Sequence, residues 1–258
     1  MSESADTITF EQPLTERVRT FLRLEFLFAQ HLHHRGDASE FGARATLQIL
    51  LDTLVVLSRS DLKNEILKEL NDQHLALTKL AAKPGVDPAR LSGVLVDITT
   101  AVNDLQQLAT QFAVTALRGN DFLISVLNRS TVPGGACAFD LPVYHYWLNQ
   151  PEGQLRRNLD LWYADIKPFE SAISLYLKLL RKSVPAQDVN AGGGMYIHAP
   201  QTPCSLLRVQ VSSAAGVYPE ISAGKHRFTV RFMSVREVNA RSQQTLADVP
   251  FRMQCCNL

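Results

Sequence analysis

From Pro13 to about Ser183 the apolar residues recur every three or four positions, the spacing of a single buried face on an α-helix. The clearest run opens with Asp87-Pro88, an N-cap acid followed by proline at the first helical position. Leu91, Leu95, Ile98, Val102, Leu105, Ala109, Phe112 and Ala116 then alternate steps of four and three, which predicts one long helix of about eight turns with a coiled-coil-like seam. Further helices are predicted over roughly 14–32, 39–58, 61–82, 122–129, 142–149, 152–166 and 168–182. On the first of them Val18, Phe21, Leu22 and Phe26 are read as the inward face. Helices of this length joined by short turns predict an antiparallel helical bundle over residues 1–183.

After Val184-Pro185 the period drops to two. Leu207, Val209 and Val211 alternate with Arg208, Gln210 and Ser212; Phe228, Val230 and Phe232 alternate with Arg227, Thr229 and Arg231; Phe251, Met253 and Cys255 alternate with Arg252, Gln254 and Cys256. Half-buried strands with short connections predict an antiparallel β domain over 184–258, with Thr7–Phe10 as a candidate additional strand. The glycine tract at 192–194 reads as a flexible hinge. The fold class expected is therefore α+β, a helical bundle followed by a β domain.

Composition sharpens this in two places. With 46% hydrophobic and 20% charged residues the chain has the make-up of a soluble globular protein. Its net charge is only +1, but residues 1–183 carry −2 and residues 184–258 carry +3, so a cationic site has to be a local patch. The opening MSESADTITFEQPL lacks the basic start and apolar run of a secretory signal, and none is expected. The longest apolar stretch, Ile49–Leu57, is broken by Asp52 and Thr53, so no membrane insertion is expected either. Cys137, Cys204, Cys255 and Cys256 show no C-x-x-C spacing and read as small apolar fillers in a reducing cytosol.

The chemistry-bearing residues are mostly cations. Strand alternation puts Lys225, Arg227 and Arg231 on one solvent face, with no acid close in sequence to cancel them, and such a stripe suits an acidic peptide; a merely solvated strand face is the competing reading. Arg19 and Arg23 share a helix face, with pairing to Glu16 as the alternative. Arg59 and Arg118 fall at helix C-termini, where a cation complements the dipole. His145 lies close to Cys137 and Asp140, yet no nucleophile elbow or oxyanion loop accompanies them, and the chain reads as non-enzymatic. A contact beside Tyr144, Tyr146 and Trp147 is the plainer role for its imidazole. His31, His33 and His34 read as solvated helix-end histidines rather than metal ligands, and 192–194 is no nucleotide fingerprint. No cofactor is expected.

A resemblance adds to these readings. The strings FEQPLTERVRTFLRLEFL at 10–27, LKEL at 67–70, KPGVD at 83–87, VPGGACAFDLPVYHYWL at 132–148, YPEIS at 218–222 and KHRFTVRFM at 225–233, with the near-terminal Cys255-Cys256, resemble the ZapD family in order over essentially the whole chain. That resemblance implies a helical plus a β domain, a cytoplasmic homodimer at the mid-cell division ring, and binding to the C-terminal tail of the tubulin-like protein FtsZ. It also implies filament bundling with slower GTP turnover. The matching basic positions are Arg19, Arg23, Arg59, His145, Arg227 and Arg231, and Lys225 joins them on the strand argument alone. The segment RGND at 118–121 departs from the family pattern, with Asp121 where an arginine is expected; Arg118 is the candidate cation there. The rival class is a nucleic-acid-binding protein using the same basic patch on phosphates, which the small net charge and the lack of paired aromatics on the strands disfavour.

Overall fold

A computed structural model of the chain describes residues 6–37, 39–59, 61–81, 85–109, 112–224, 227–234 and 239–258. The chain divides into two units, Thr20–Leu177 and the combination of Met1–Arg19 with Lys178–Leu258. The architecture is α+β, helical in its N-terminal part and with antiparallel sheets in its C-terminal part.

In the helical unit the element buried on most of its circumference is α2 (Glu40–Leu57), capped by Ser39 Oγ, which accepts the Gly42 amide at 3.1 Å. Its buried hydroxyls make no unsatisfied demand: Thr46 Oγ1 donates to Gly42 O and Thr53 Oγ1 to Ile49 O, four residues back. Against α2 pack α5 (Phe112–Arg118), α6 (Asp121–Ser130), α7 (Pro142–Leu148) and α8 (Glu152–Ala164). Phe122, Tyr144, Trp147 and Trp162 form an aromatic cluster among these helices, with ring centroids 5.4 to 6.1 Å apart. Arg44 lies 4.8 Å over the Tyr144 ring and donates to Ala136 O at 3.1 Å, which ties the loop ahead of α7 to α2. Helix α1 (Glu16–His34) and helix α9 (Lys167–Arg181) meet through the edge-on pair Phe21 and Tyr176.

Two expectations for this unit are overturned. The seam beginning at Leu91 does not run through one helix: α4 (Pro88–Gln107) ends before Leu108, which takes an extended conformation, and α5 begins anew at Phe112. The carbonyl of Leu108 accepts from the Nζ of Lys63, a buried residue on α3 (Leu62–Leu80), so a tertiary cation meets a group that a continuing helix would have satisfied itself. Nothing local announces that break, since the four-three spacing simply continues in a second helix. His31 is not solvated at a helix end. It is 5% exposed and stacks on Tyr163 with centroids 3.5 Å apart and rings 2° from parallel. Burial, aided by the charge of Arg35 and opposed by Asp160, lowers its pKa to about 4. Tyr163 donates its hydroxyl to Glu170 Oε2 at 2.9 Å.

In the β unit, β1 (Thr7–Pro13), β4 (Leu206–Ser212), β8 (Val249–Cys256) and β2 (Gln187–Ala191) form one antiparallel sheet in that order. A second sheet has the order β3 (Met195–His198), β6 (Phe228–Ser234), β5 (Val217–Ala223), with β7 (Gln243–Gln244) also on β6. The predicted inward residues meet in a single core: Leu207, Val209, Val211, Phe251 and Met253 from the first sheet, Phe228, Val230 and Phe232 from the second. On the other face of the first sheet, Glu11 of β1 stands in register with Arg208 of β4 and accepts from it at 2.8 Å, and from Arg181 at 2.8 and 2.7 Å. Gln254 completes the network, accepting from Arg208 and donating to the carbonyl of Val184 at 2.8 Å.

Three further readings change here. Gly192–Gly194 is a tight turn between β2 and β3 rather than a hinge: Gly193 and Gly194 have φ of 55° and 71°, and Gly193 N donates to Asp248 Oδ1 at 2.9 Å. The alternation at the end of β8 fails because that face is covered too, leaving Cys256 fully buried and Cys255 half-buried. Burial pushes the Cys256 thiol up to about 11. Finally, Cys204 and Cys255 are not fillers but are joined as a disulfide. The register that sets Leu207 opposite Cys255, together with Ser205 N donating to Cys256 O at 2.8 Å, brings residue 204 to residue 255 across 51 positions of sequence.

Candidate binding surfaces

Helix α1 starts from Thr15, whose Oγ1 accepts the Val18 amide at 3.3 Å. Arg19, Arg23 and Phe26 follow at steps of four and three, which sets them along one helical face. Arg19 donates from Nε to Glu16 Oε2 at 3.1 Å, but with side chains 41% and 71% exposed that pair is worth a few tenths of a kcal/mol and exchanges readily for another carboxylate. Arg23 is exposed and makes no ion pair among the described residues. Phe26, expected to face inward, is 64% exposed. The buried stripe of α1 is Val18, Phe21, Leu24 and Phe28, and Phe26 falls on the opposite side of the helical wheel. A phenyl ring one turn from a guanidinium is a mixed basic and apolar face.

The second surface is the outer face of the β3–β6–β5 sheet. Arg231 of β6 lies in register between Met195 of β3 and Glu220 of β5, and the next row is Ile197, Thr229 and Ser222. Arg227 stands exposed just ahead of β6, its carbonyl accepting the Gly224 amide at 2.9 Å. Met195 and Ile197 are 44% and 54% exposed, so this face also mixes cations with apolar side chains. The expectation that no acid cancels the stripe is corrected. Glu220, eleven residues away in sequence, becomes a cross-strand neighbour and meets Arg231 Nη2 at 3.3 Å, with both side chains about half exposed. Lys225 lies outside the described residues.

The remaining candidates sit on helix ends of the helical unit. Arg59 is exposed just beyond α2, and Arg118 is exposed as the last residue of α5. Asp121 opens α6 behind the cap Asn120, whose Oδ1 accepts the Leu123 amide at 3.1 Å; a carboxylate is favoured at that terminus. His145 is exposed on α7, between the buried Tyr144 and the exposed Tyr146. The Cys137 thiol donates to Asp140 Oδ2 at 3.3 Å, in a contact that does not involve His145. Among the described residues no group of three or more His, Cys, Asp and Glu is placed to hold a metal, and no single helix is long and apolar enough to cross a membrane.

The sequence pattern missed Phe26, Met195 and Ile197 as surface residues. Only the register of β3 against β6 could have placed the latter two beside Arg231 and Thr229.

Fold and surface together define an α+β protein, a helical unit and a two-sheet β unit, with basic and apolar side chains sharing its exposed faces. A family model described as ZapD, cell division protein, matches residues 22–231. Proteins named Cell division protein ZapD from Aromatoleum aromaticum and Methylococcus capsulatus are 35% and 36% identical to the chain over 252 and 255 residues, each alignment covering 97% of this chain and 98% of the relative. One from Bordetella pertussis is 36% identical over 255 residues, 98% of this chain and 99% of its own. The chain belongs to the ZapD family of cell division proteins, and its role lies in cell division.

Proposed function

We propose that the chain acts without catalysis, binding the C-terminal tail of FtsZ and, as a homodimer, cross-linking FtsZ filaments at the mid-cell division ring in the cytoplasm. Bundling in this way promotes ring assembly and slows FtsZ GTP turnover. The observation that carries the reading is the exposure of apolar side chains directly beside cations, Phe26 one turn from Arg23 and Met195 in register with Arg231. A short acidic and apolar segment is complementary to both components: guanidinium groups orient it, and ring or thioether contacts bury part of it. Arg19, Arg59, Arg118, His145, Lys225 and Arg227 extend the basic contribution. Nucleic acid would use the cations and leave the apolar residues without a role, so phosphate binding is the weaker reading.

A two-fold dimer makes modest sites effective, because capture of one tail raises the effective concentration at the second. Leu75 of α3 and Val96 of α4 are exposed apolar side chains on two helices that pack on each other, and are candidates for contact with the second copy. Co-sedimentation with polymerised FtsZ, intact or lacking its tail, tests the reading. Arg23→Glu with Phe26→Asp, and separately Arg227→Glu with Arg231→Glu, are expected to lower pelleting at least about tenfold in affinity with the melting temperature retained. Raising salt from about 50 to 300 mM weakens it as well, since exposed charges are screened within roughly 10 Å. Full pelleting of both double variants, or of tail-less FtsZ, refutes the proposal.

A further inference from the structure

The β unit holds a sulfur pair that the binding surfaces do not use. We propose that Cys204 and Cys255 are a reversible thiol–disulfide pair that exchanges with a small tripeptide disulfide of the glutathione type, with Cys255 as the sulfur through which the reagent enters.

The approach of the two residues is set by the backbone and not by the bond. Their Cα atoms are 5.4 Å apart, inside the range that a disulfide spans. Leu207 stands opposite Cys255, Ser205 N donates to Cys256 O at 2.8 Å, Ser205 Oγ donates to Asn257 Oδ1 at 2.7 Å, and Leu14 N donates to Ser205 O at 2.9 Å. None of these contacts needs the sulfur–sulfur bond, so reduction leaves two thiols side by side and reoxidation requires no rearrangement of strands.

Access separates this pair from Cys256, and position in the fold separates it from Cys137. Cys255 lines an open cavity of about 370 Å³ whose walls combine the apolar Val184, Pro185 and Met253 with the polar Gln187, His198 and Gln201. Amide and imidazole groups of that kind suit the peptide bonds and carboxylates of a tripeptide thiol. Cys256, its neighbour in sequence, is fully buried with its thiol pushed up to about 11, which keeps it out of the exchange. Cys137 belongs to the other unit and donates to Asp140.

The exchange balances in two steps. The Cys255 thiolate attacks one sulfur of oxidised glutathione, forming a mixed disulfide and releasing one reduced glutathione. The Cys204 thiolate then attacks the Cys255 sulfur and releases the second, so two protein thiols are oxidised as one small disulfide is reduced, with two protons carried away by the leaving thiols. Ala199–Thr202 form part of the cavity wall and lead directly into Cys204. Oxidation pins the end of that wall, and reduction releases it.

The test is equilibration of the full chain in glutathione buffers of graded redox ratio, followed by differential alkylation and peptide mass spectrometry. With alkylation carried out after acid quenching and denaturation, the expected result is smooth interconversion of the 204–255 disulfide with Cys137 and Cys256 alkylated throughout, and hydrogen exchange at 199–204 roughly tenfold faster in the reduced protein. Cys204→Ser is expected to accumulate one glutathione on Cys255, and Cys255→Ser to leave Cys204 largely unmodified. A pair that stays oxidised in reduced glutathione alone, stays reduced in the oxidised form, or gives way to a bond involving Cys256 overturns the proposal. Preferential glutathione loading of Cys204 overturns the assignment of Cys255 as the entry sulfur. The wild-type measurement does not depend on either variant folding.

Discussion

Glu11→Gln is the substitution whose effect follows most directly from the structure. The Glu11 carboxylate accepts from Arg181 at 2.7 and 2.8 Å and from Arg208 at 2.8 Å, and the three side chains are 18%, 23% and 14% exposed. Removing one partner from a fully buried ion pair costs about 3–5 kcal/mol; partial exposure and the acceptor oxygen kept by glutamine reduce this to about 2–3 kcal/mol. Trp147 and Trp162 both lie in the helical unit, so tryptophan fluorescence is not a direct reporter of the β unit. Hydrogen exchange of the peptide spanning β1 does, and at pH 7 it is expected to quicken roughly 30- to 150-fold, at about 1.4 kcal/mol per decade.

The pH dependence is an independent check. Burial alone would raise the Glu11 carboxyl, but the hydrogen bond and charge of Arg181 and the charge of Arg208 outweigh it and hold the group below its ordinary value. Its contribution is therefore complete above the unfolded value of about 4.3 and is lost as pH falls through the lower folded value. After correction for intrinsic exchange, the ratio between variant and wild type should shrink towards one in strong acid. A ratio under about threefold at pH 7, or one equally large at about pH 3, refutes the reasoning.

His31, held neutral by burial with a pKa of about 4, lends stability that is whole above the unfolded value of about 6.5 and declines as pH falls towards 4. Fluorescence-monitored urea unfolding of His31→Gln should show a flatter loss of stability between about pH 7 and 5 than wild type, and parallel slopes would count against the buried neutral ring. Lys63→Met should leave the Leu108 carbonyl without its cation and cost about 1.5–3 kcal/mol, with exchange quickening around 104–109 and Lys63→Arg recovering part of the loss; an unaffected segment would mean the break between α4 and α5 has another cause. Gly194→Ala should cost more than about 2 kcal/mol, because φ is 71° and a Cβ would collide with the Thr245 carbonyl, whereas Gly192→Ala, with open space, should cost less than about 1 kcal/mol; equal melting temperatures would contradict this.

These tests separate what periodicity carries from what it cannot. The alternation of Phe228, Val230 and Phe232 was enough to assign their inward face, because a two-residue repeat has only two sides and one of them is apolar. The four-three spacing from Leu91 to Ala116 was not enough to join α4 to α5, because two successive helices that bury the same stripe repeat the same pattern. Candidate cations were legible as residues, but not their company: Arg231 acquires Glu220 on one side and Met195 on the other only once the strands pair.

The chain's order of residues by itself determined the α+β class, the helical cap at Asp87, the alternating core of the β unit and membership of a cell-division family. Tertiary structure alone decided the burial of His31, the exposure of Phe26, the clamp on Glu11 and the union of Cys204 with Cys255. The division has a physical basis: propensity and periodicity act between residues a few positions apart, whereas desolvation, ion pairing and sulfur bonding act between whichever groups folding brings within a few ångströms.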